Sequence, residues 1–97
     1  MLTLFIYLYQ ICVVEDIKPA AKKHFLVFAT ENKIPALSDL KAEDSDLMAR
    51  LMLVASQIGN KECPNGYRLI INNGPDGLQT IPHLHIHILG GEKLRWP

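Results

Sequence analysis

The chain opens on a run, residues 1–14, that is almost wholly apolar and carries no charged side chain. Phe5, Ile6, Tyr7, Tyr9, Ile11, Val13 and Val14 favour extended backbone, so this run predicts one or two buried strands or a subunit contact. It is too short to span a bilayer as a helix, and it lacks the basic start and small-residue cleavage site of a signal peptide. Glu15 to Lys23 is polar and contains Pro19, which predicts a loop. His24 to Thr30 is a continuous apolar run of the kind that forms a buried strand. A connection holding Pro35 and a short helical turn over 38–42 follow. Leu47, Leu51, Val54 and Ile58 then recur at helical spacing, with Met48, Met52 and Ala55 widening the stripe. Asp44 or Ser45 is placed to cap that helix, and Gly59-Asn60 to stop it. After a turn at Pro64-Asn65-Gly66, residues 67–72 read as a strand, 73–77 as a loop and 80–89 as a last strand ended by Gly90-Gly91. Strands joined by short loops, with one helix between them, predict an α+β fold: an antiparallel sheet with one main helix packed on it.

Bulk properties narrow the function classes. The 97 residues suit one domain. The ten basic and ten acidic residues cancel, which argues against partners recognised by bulk charge, such as nucleic acid or an anionic membrane. The two cysteines, Cys12 and Cys63, have no zinc-type spacing, and a reduced, cytoplasmic or nuclear setting is expected. A single disulfide between them stays open at this point.

The chemistry concentrates in the last predicted strand. His83, His85 and His87 are three of the four histidines, and Leu84, Ile86 and Ile88 alternate with them. On a strand this sets the imidazoles on one face and the aliphatic chains on the other. Alternate residues lie about 7 Å apart, so the outer two histidines are about 13 Å apart and a single metal does not take all three. A metal site would need two of them with a further ligand from elsewhere. A nucleophilic role fits better: an imidazole can attack phosphorus and carry a covalent intermediate, while a second binds phosphoryl oxygen or moves a proton. The glycine-rich loop Asn73-Gly74-Pro75-Asp76-Gly77 allows close backbone approach to an anion, and Gln79 and Thr80 add neutral donors.

His83-Leu84-His85-Ile86-His87-Ile88-Leu89 resembles the motif of the histidine-triad (HIT) nucleotide-binding family. Gly66-Tyr67-Arg68, Asn72-Asn73-Gly74, Asp76-Gly77, Gln79-Thr80, Leu89-Gly90-Gly91 and Trp96-Pro97 are similar to its Hint branch. So are Asp16-Ile17-Lys18-Pro19-Ala20 and His24-Phe25-Leu26-Val27, and the resemblance runs from about residue 12 to the end. It implies one HIT-like domain over 1–97, with residues 1–11 an atypical apolar segment, and a homodimer whose sheets join. It implies a purine nucleoside phosphoramidase that cleaves the P–N bond of adenosine or guanosine 5′-phosphoramidates and needs no cofactor or metal. By position, His85 would be the nucleophile, His87 would contact phosphate, and His83 would orient His85 through its carbonyl. Asn72, Gln79 and Thr80 would hold phosphate and leaving group, with Leu78 at a backbone-contact position. Asp16 would bind the ribose and Ile17 the base, and Trp96 would lie near the partner's site.

The sequence departs from that pattern in places. The family's first helix and the rest of its base pocket should precede residue 12, where Met1–Ile11 does not align. Val14 stands for a frequent phenylalanine, Phe28-Ala29-Thr30 for Ile-Pro-Lys and Asn32 for a frequent histidine. Leu78 stands for a small residue and Thr80 for serine. Two readings outside the enzyme follow: a nucleotide-binding or interaction protein with little turnover, and, further off, a metal-binding module.

Overall fold

A computed structural model describes residues 3–8 and 10–97, with side chains from residue 10 onward. Five strands form one sheet: β1 (Thr3–Leu8), β2 (Ile11–Glu15), β3 (Lys23–Ala29), β4 (Tyr67–Ile70) and β5 (His85–Gly90). Their order is β1-β2-β3-β5-β4 and every neighbouring pair is antiparallel. Both strands allowed for the apolar start are present, as a hairpin whose second strand turns Ile11 and Val13 into the core. Among the described residues there is one long helix, α1 (Ser45–Glu62), which follows two short 3-10 turns, Leu37–Asp39 and Ala42–Asp44.

The core lies between α1 and one face of the sheet. Leu51, Val54, Ala55 and Ile58 of α1 meet Ile11, Val13, Phe25, Val27, Ile86 and Ile88. This is the helical stripe set against the inward half of each strand's alternation. Leu47 and Met48 pack at its margin, but Met52, predicted to widen the stripe, is 45% exposed. Asp44 is the N-cap residue, yet its carboxylate accepts from the Lys41 N–H at 2.9 Å, inside the preceding turn, and does not cap α1.

The helix also runs past its predicted stop. Gly59 is helical and buried, and a Cβ there would fall 2.5 Å from the Tyr67 ring. The glycine is a seat for an aromatic side chain of β4, not a terminator. α1 ends at Glu62, where the Cys63 N–H reaches the Gly59 carbonyl at 2.8 Å. Cys63 is buried there against Gly90, and Cys12 lies on β2; both are free thiols.

Candidate active site

The other face of the sheet carries the histidines. In β5 the inward residues are Ile86 and Ile88, so His85 and His87 point away from α1. Across the pairing, Leu26 lies beside His87 and Phe28 beside His85. The predicted strand over 80–89 is shorter than expected. β5 begins at His85, and His83 sits in a tight turn with its N–H on the Ile81 carbonyl at 2.8 Å. Pro82 has no N–H to give a ladder, and Leu84 N–H instead bonds Ile34 O at 2.9 Å.

That turn sets up the nucleophile. Nδ1 of His85 lies 2.7 Å from the His83 carbonyl oxygen. A carbonyl only accepts, so Nδ1 carries the proton and Nε2 presents a lone pair. The side chain of His83 itself packs edge-on to Phe28, with centroids 5.2 Å apart, and its Nε2 is buried with no hydrogen-bond partner among the described residues.

A second chain of hydrogen bonds fixes His87. The Ala20 N–H donates to Nδ1 of His24 at 3.0 Å, so His24 holds its proton on Nε2. That Nε2–H is 2.9 Å from Nδ1 of His87, which must therefore accept. His87 is left with its proton on Nε2, as a neutral donor. Burial, then the neighbouring imidazoles His85 and His24, push His87 down to about 4, so it is uncharged at neutral pH. Burial also lowers His24, opposed by the Asp16 carboxylate.

Asp16 closes this corner. Its Oδ1 accepts from Lys18 N–H at 2.9 Å, and its Oδ2 lies 3.6 Å from Nε2 of His24. Asp16, His24 and His87 thus bring three ligand-type atoms within 4.8 Å of one another. The spacing suits a small cation, but the tautomer does not. A metal on Nε2 of His24 would need the lone pair that the Ala20 N–H has forced onto Nδ1. As set by these bonds, the cluster is a proton-placing device.

The loop before β5 shapes the rest. Asn72 Nδ2 donates to Gly77 O at 2.7 Å, and Gly77 is required because a Cβ there would collide with the Asn73 backbone. Gln79 staples the loop: Oε1 accepts from Gly74 N–H, and Nε2 donates to the Pro35 and Ile81 carbonyls. The Leu78 N–H bonds Pro75 O at 3.0 Å, and its side chain is 79% exposed. Thr80 is exposed at the end of the loop, and Ile17 is exposed beyond Asp16. Asn32, in place of a histidine, donates to Pro82 O at 2.8 Å and so steadies the turn that holds His83.

Sequence reasoning missed His24. Its signal was present: it is the first residue of the apolar run, in phase with Leu26 and Phe28, which pair with His87 and His85 of β5. What the sequence could not show is that it meets a histidine 63 residues away.

The chain belongs to the HIT domain family, whose pattern matches residues 3–94 and so takes in the apolar start as well as the triad. An uncharacterised HIT-like protein of Synechococcus elongatus is 43% identical over 83 residues, covering 84% of this chain and 72% of its own length. A maize protein described as a 14 kDa zinc-binding protein is 31% identical over 90 residues, covering 91% and 70%. The crystal structure of a HIT family hydrolase from Legionella pneumophila superposes with a TM-score of 0.93 at 31% identity, over all of this chain and 88% of the other. Among the described residues, no helix is long and apolar enough to cross a membrane.

Proposed function

We propose that this chain is a nucleotide-binding hydrolase of the purine nucleoside phosphoramidase type. The observation that carries the reading is the pair of fixed tautomers: an Nε2 lone pair on His85 beside an Nε2–H on neutral His87. Likeness to the Legionella hydrolase supports hydrolysis, and the resemblance of Asp16–Ala20, Asn72–Gly74, Asp76-Gly77, Gln79-Thr80 and Leu89-Gly90-Gly91 through Trp96-Pro97 to the Hint branch supports the P–N bond.

A phosphoramidate protonated on nitrogen by solvent is attacked at phosphorus by Nε2 of His85. The P–N bond breaks, a neutral amine leaves, and a nucleotidyl-histidine remains. Water then attacks phosphorus and the bond to His85 breaks. The water gives up a proton to solvent, the nucleoside monophosphate departs, and the bonding pair returns to Nε2, leaving His85 neutral with its proton on Nδ1. His87 donates Nε2–H to a phosphoryl oxygen throughout, which is the role its low proton affinity allows. His83 acts through its carbonyl. Asn72 and Gln79 hold the loop in shape, Thr80 and the Leu78 backbone border the phosphate, and Asp16 and Ile17 take ribose and base. The whole chain acts as one HIT-like domain. β4, at the sheet edge, joins a second copy, with Trp96 near that copy's site.

A single-turnover reaction with adenosine 5′-phosphoramidate, searched by mass spectrometry, is expected to show an adenylyl adduct on His85. An adduct on another residue overturns the mechanism. A second reading, nucleotide binding with little turnover, draws on the Gln79 amide and the Leu78 N–H, both already engaged by loop carbonyls. Nucleotide binding with no cleavage by the unmodified chain would favour it.

A further inference from the structure

We propose that Asn32 is a positioning residue for the nucleophile: its carboxamide, by holding the Pro82 carbonyl, fixes the turn whose next carbonyl keeps the His85 proton on Nδ1. This rests on the phosphoramidase reading for its kinetic readout, and it adds to that reading a residue outside the histidine strand.

His83 sits between two peptide units, and each is held at both ends. A peptide unit is planar and stiff, so its carbonyl and its N–H turn together. In the first unit the Pro82 carbonyl accepts from Asn32 Nδ2 at 2.8 Å, and the His83 N–H donates to the Ile81 carbonyl at 2.8 Å. In the second the His83 carbonyl lies 2.7 Å from Nδ1 of His85, and the Leu84 N–H donates to the Ile34 carbonyl at 2.9 Å. The soft degrees of freedom between the two units are the φ and ψ of His83. These bonds together set those angles, and with them the place of the carbonyl oxygen that gives His85 its tautomer.

The holding groups come from one short segment. Ile34 is buried in the core cluster with Leu51 and anchors it. Beside it the Pro35 carbonyl accepts from Gln79 Nε2 at 2.7 Å, and that same Nε2 donates to the Ile81 carbonyl at 2.9 Å. Residues 32–35 thus grip 79–84 through Asn32, Ile34 and Pro35. Ile34 and Pro35 do so with backbone carbonyls, which any residue supplies. Asn32 does so with its side chain, and it is the grip that a substitution removes. The partner is a carbonyl, which only accepts, so the position needs an N–H donor. Asparagine carries one on Nδ2, and histidine carries one at the same remove from Cβ, on Nδ1. That equivalence accounts for an asparagine where the resemblance places a histidine. Asn32 is otherwise exposed, so its loss opens no hole in the core.

The test pairs kinetics with the tautomer itself. Asn32→Ala removes the donor without adding charge. NMR of the imidazole nitrogens is expected to show His85 passing from Nδ1–H alone to a mixture of both tautomers. The Nε2–H form has no lone pair there to attack phosphorus. With adenosine 5′-phosphoramidate, kcat is therefore expected to fall about 3- to 10-fold, the factor that the net worth of one such hydrogen bond provides, while KM changes little. Asn32→His, which returns an N–H at the same reach, is expected to restore both readouts. A His85 tautomer unmoved by Asn32→Ala overturns the proposal, whatever the melting temperature does. So does an Asn32→His chain as impaired as Asn32→Ala, since the donor would then not be what matters. If the unmodified chain cleaves no phosphoramidate but the tautomer shifts in Asn32→Ala and recovers in Asn32→His, the reaction reading fails and the positioning role stands. If it cleaves and the tautomer does not move, the positioning role fails and the reaction reading survives.

Discussion

The two faces of β5 differ in what burial does. Toward α1, Ile86 and Ile88 are fully buried among aliphatic side chains, and burial there is simply stabilising. Away from α1, His85 and His87 are also largely removed from water, and burial acts on their protons. One alternating segment therefore builds the core with its even positions and the reactive groups with its odd ones. A pair of substitutions on adjacent residues should separate the two. Ile86→Ala is expected to cost about 2–5 kcal/mol of stability by opening a cavity in the core, read by denaturant unfolding. His85→Ala is expected to lower phosphoramidate cleavage by about a thousandfold or more, with little change in the unfolding midpoint. If both changes cost stability alike, the division of labour between the faces is wrong.

Much of this was legible in the sequence. The strict alternation from His83 to Ile88 fixes which residues are inward and which reactive, and the Leu47–Ile58 stripe fixes the helix that covers the inward set. What escaped was set by contacts between distant segments. Gly59 reads as a helix stop until the Tyr67 ring is seen to need its missing side chain. The last strand reads as beginning near Thr80 until the Leu84 N–H is found on Ile34. His24 reads as the polar first residue of a buried strand until its ring meets His87. The strand formers of the apolar start carry no motif, and the family pattern from residue 3 and the pairing with β2 together give it a place.

The odd face has its own internal contrast, between a histidine steered by a carbonyl and one steered by another histidine. His24→Ala removes the donor that holds the His87 proton on Nε2. Both His87 tautomers then become available, and kcat/KM is expected to fall about 10- to 100-fold, less than the hundredfold or more for losing such a donor outright, because the donor tautomer stays partly populated. His87 in the unmodified chain is expected to titrate near 4 rather than 6.5, followed through its ring-proton resonances. Removing His24 takes away one of the causes of that depression, so the midpoint should rise. Because the folded value lies below the unfolded 6.5, the unfolded chain takes up the proton first. The contribution to stability is full above about 6.5 and is lost as pH falls toward 4. A His87 midpoint above 6, unmoved by His24→Ala, would break the assignment of its donor role.

The smallest expected effect lies in the loop that leads into β5, where the backbone rather than a side chain is under constraint. Leu78 has φ of 62°, a conformation that costs a residue with a Cβ on the order of 1 kcal/mol. Its side chain, 79% exposed, gains little from packing to offset that cost. The loop nevertheless holds it there, through Leu78 N–H on Pro75 O and Gln79 N–H on Gly74 O. Leu78→Gly removes the clash but also frees the unfolded chain, so the two effects oppose each other. With strain of about 1 kcal/mol set against about 0.4–1 kcal/mol of unfolded-chain entropy, a net gain of at most a few tenths of a kcal/mol is expected from urea unfolding. A loss of stability of that size would mean that the leucine side chain is held by contacts, and that the loop, like the helix face of β5, is shaped by burial rather than by its hydrogen bonds.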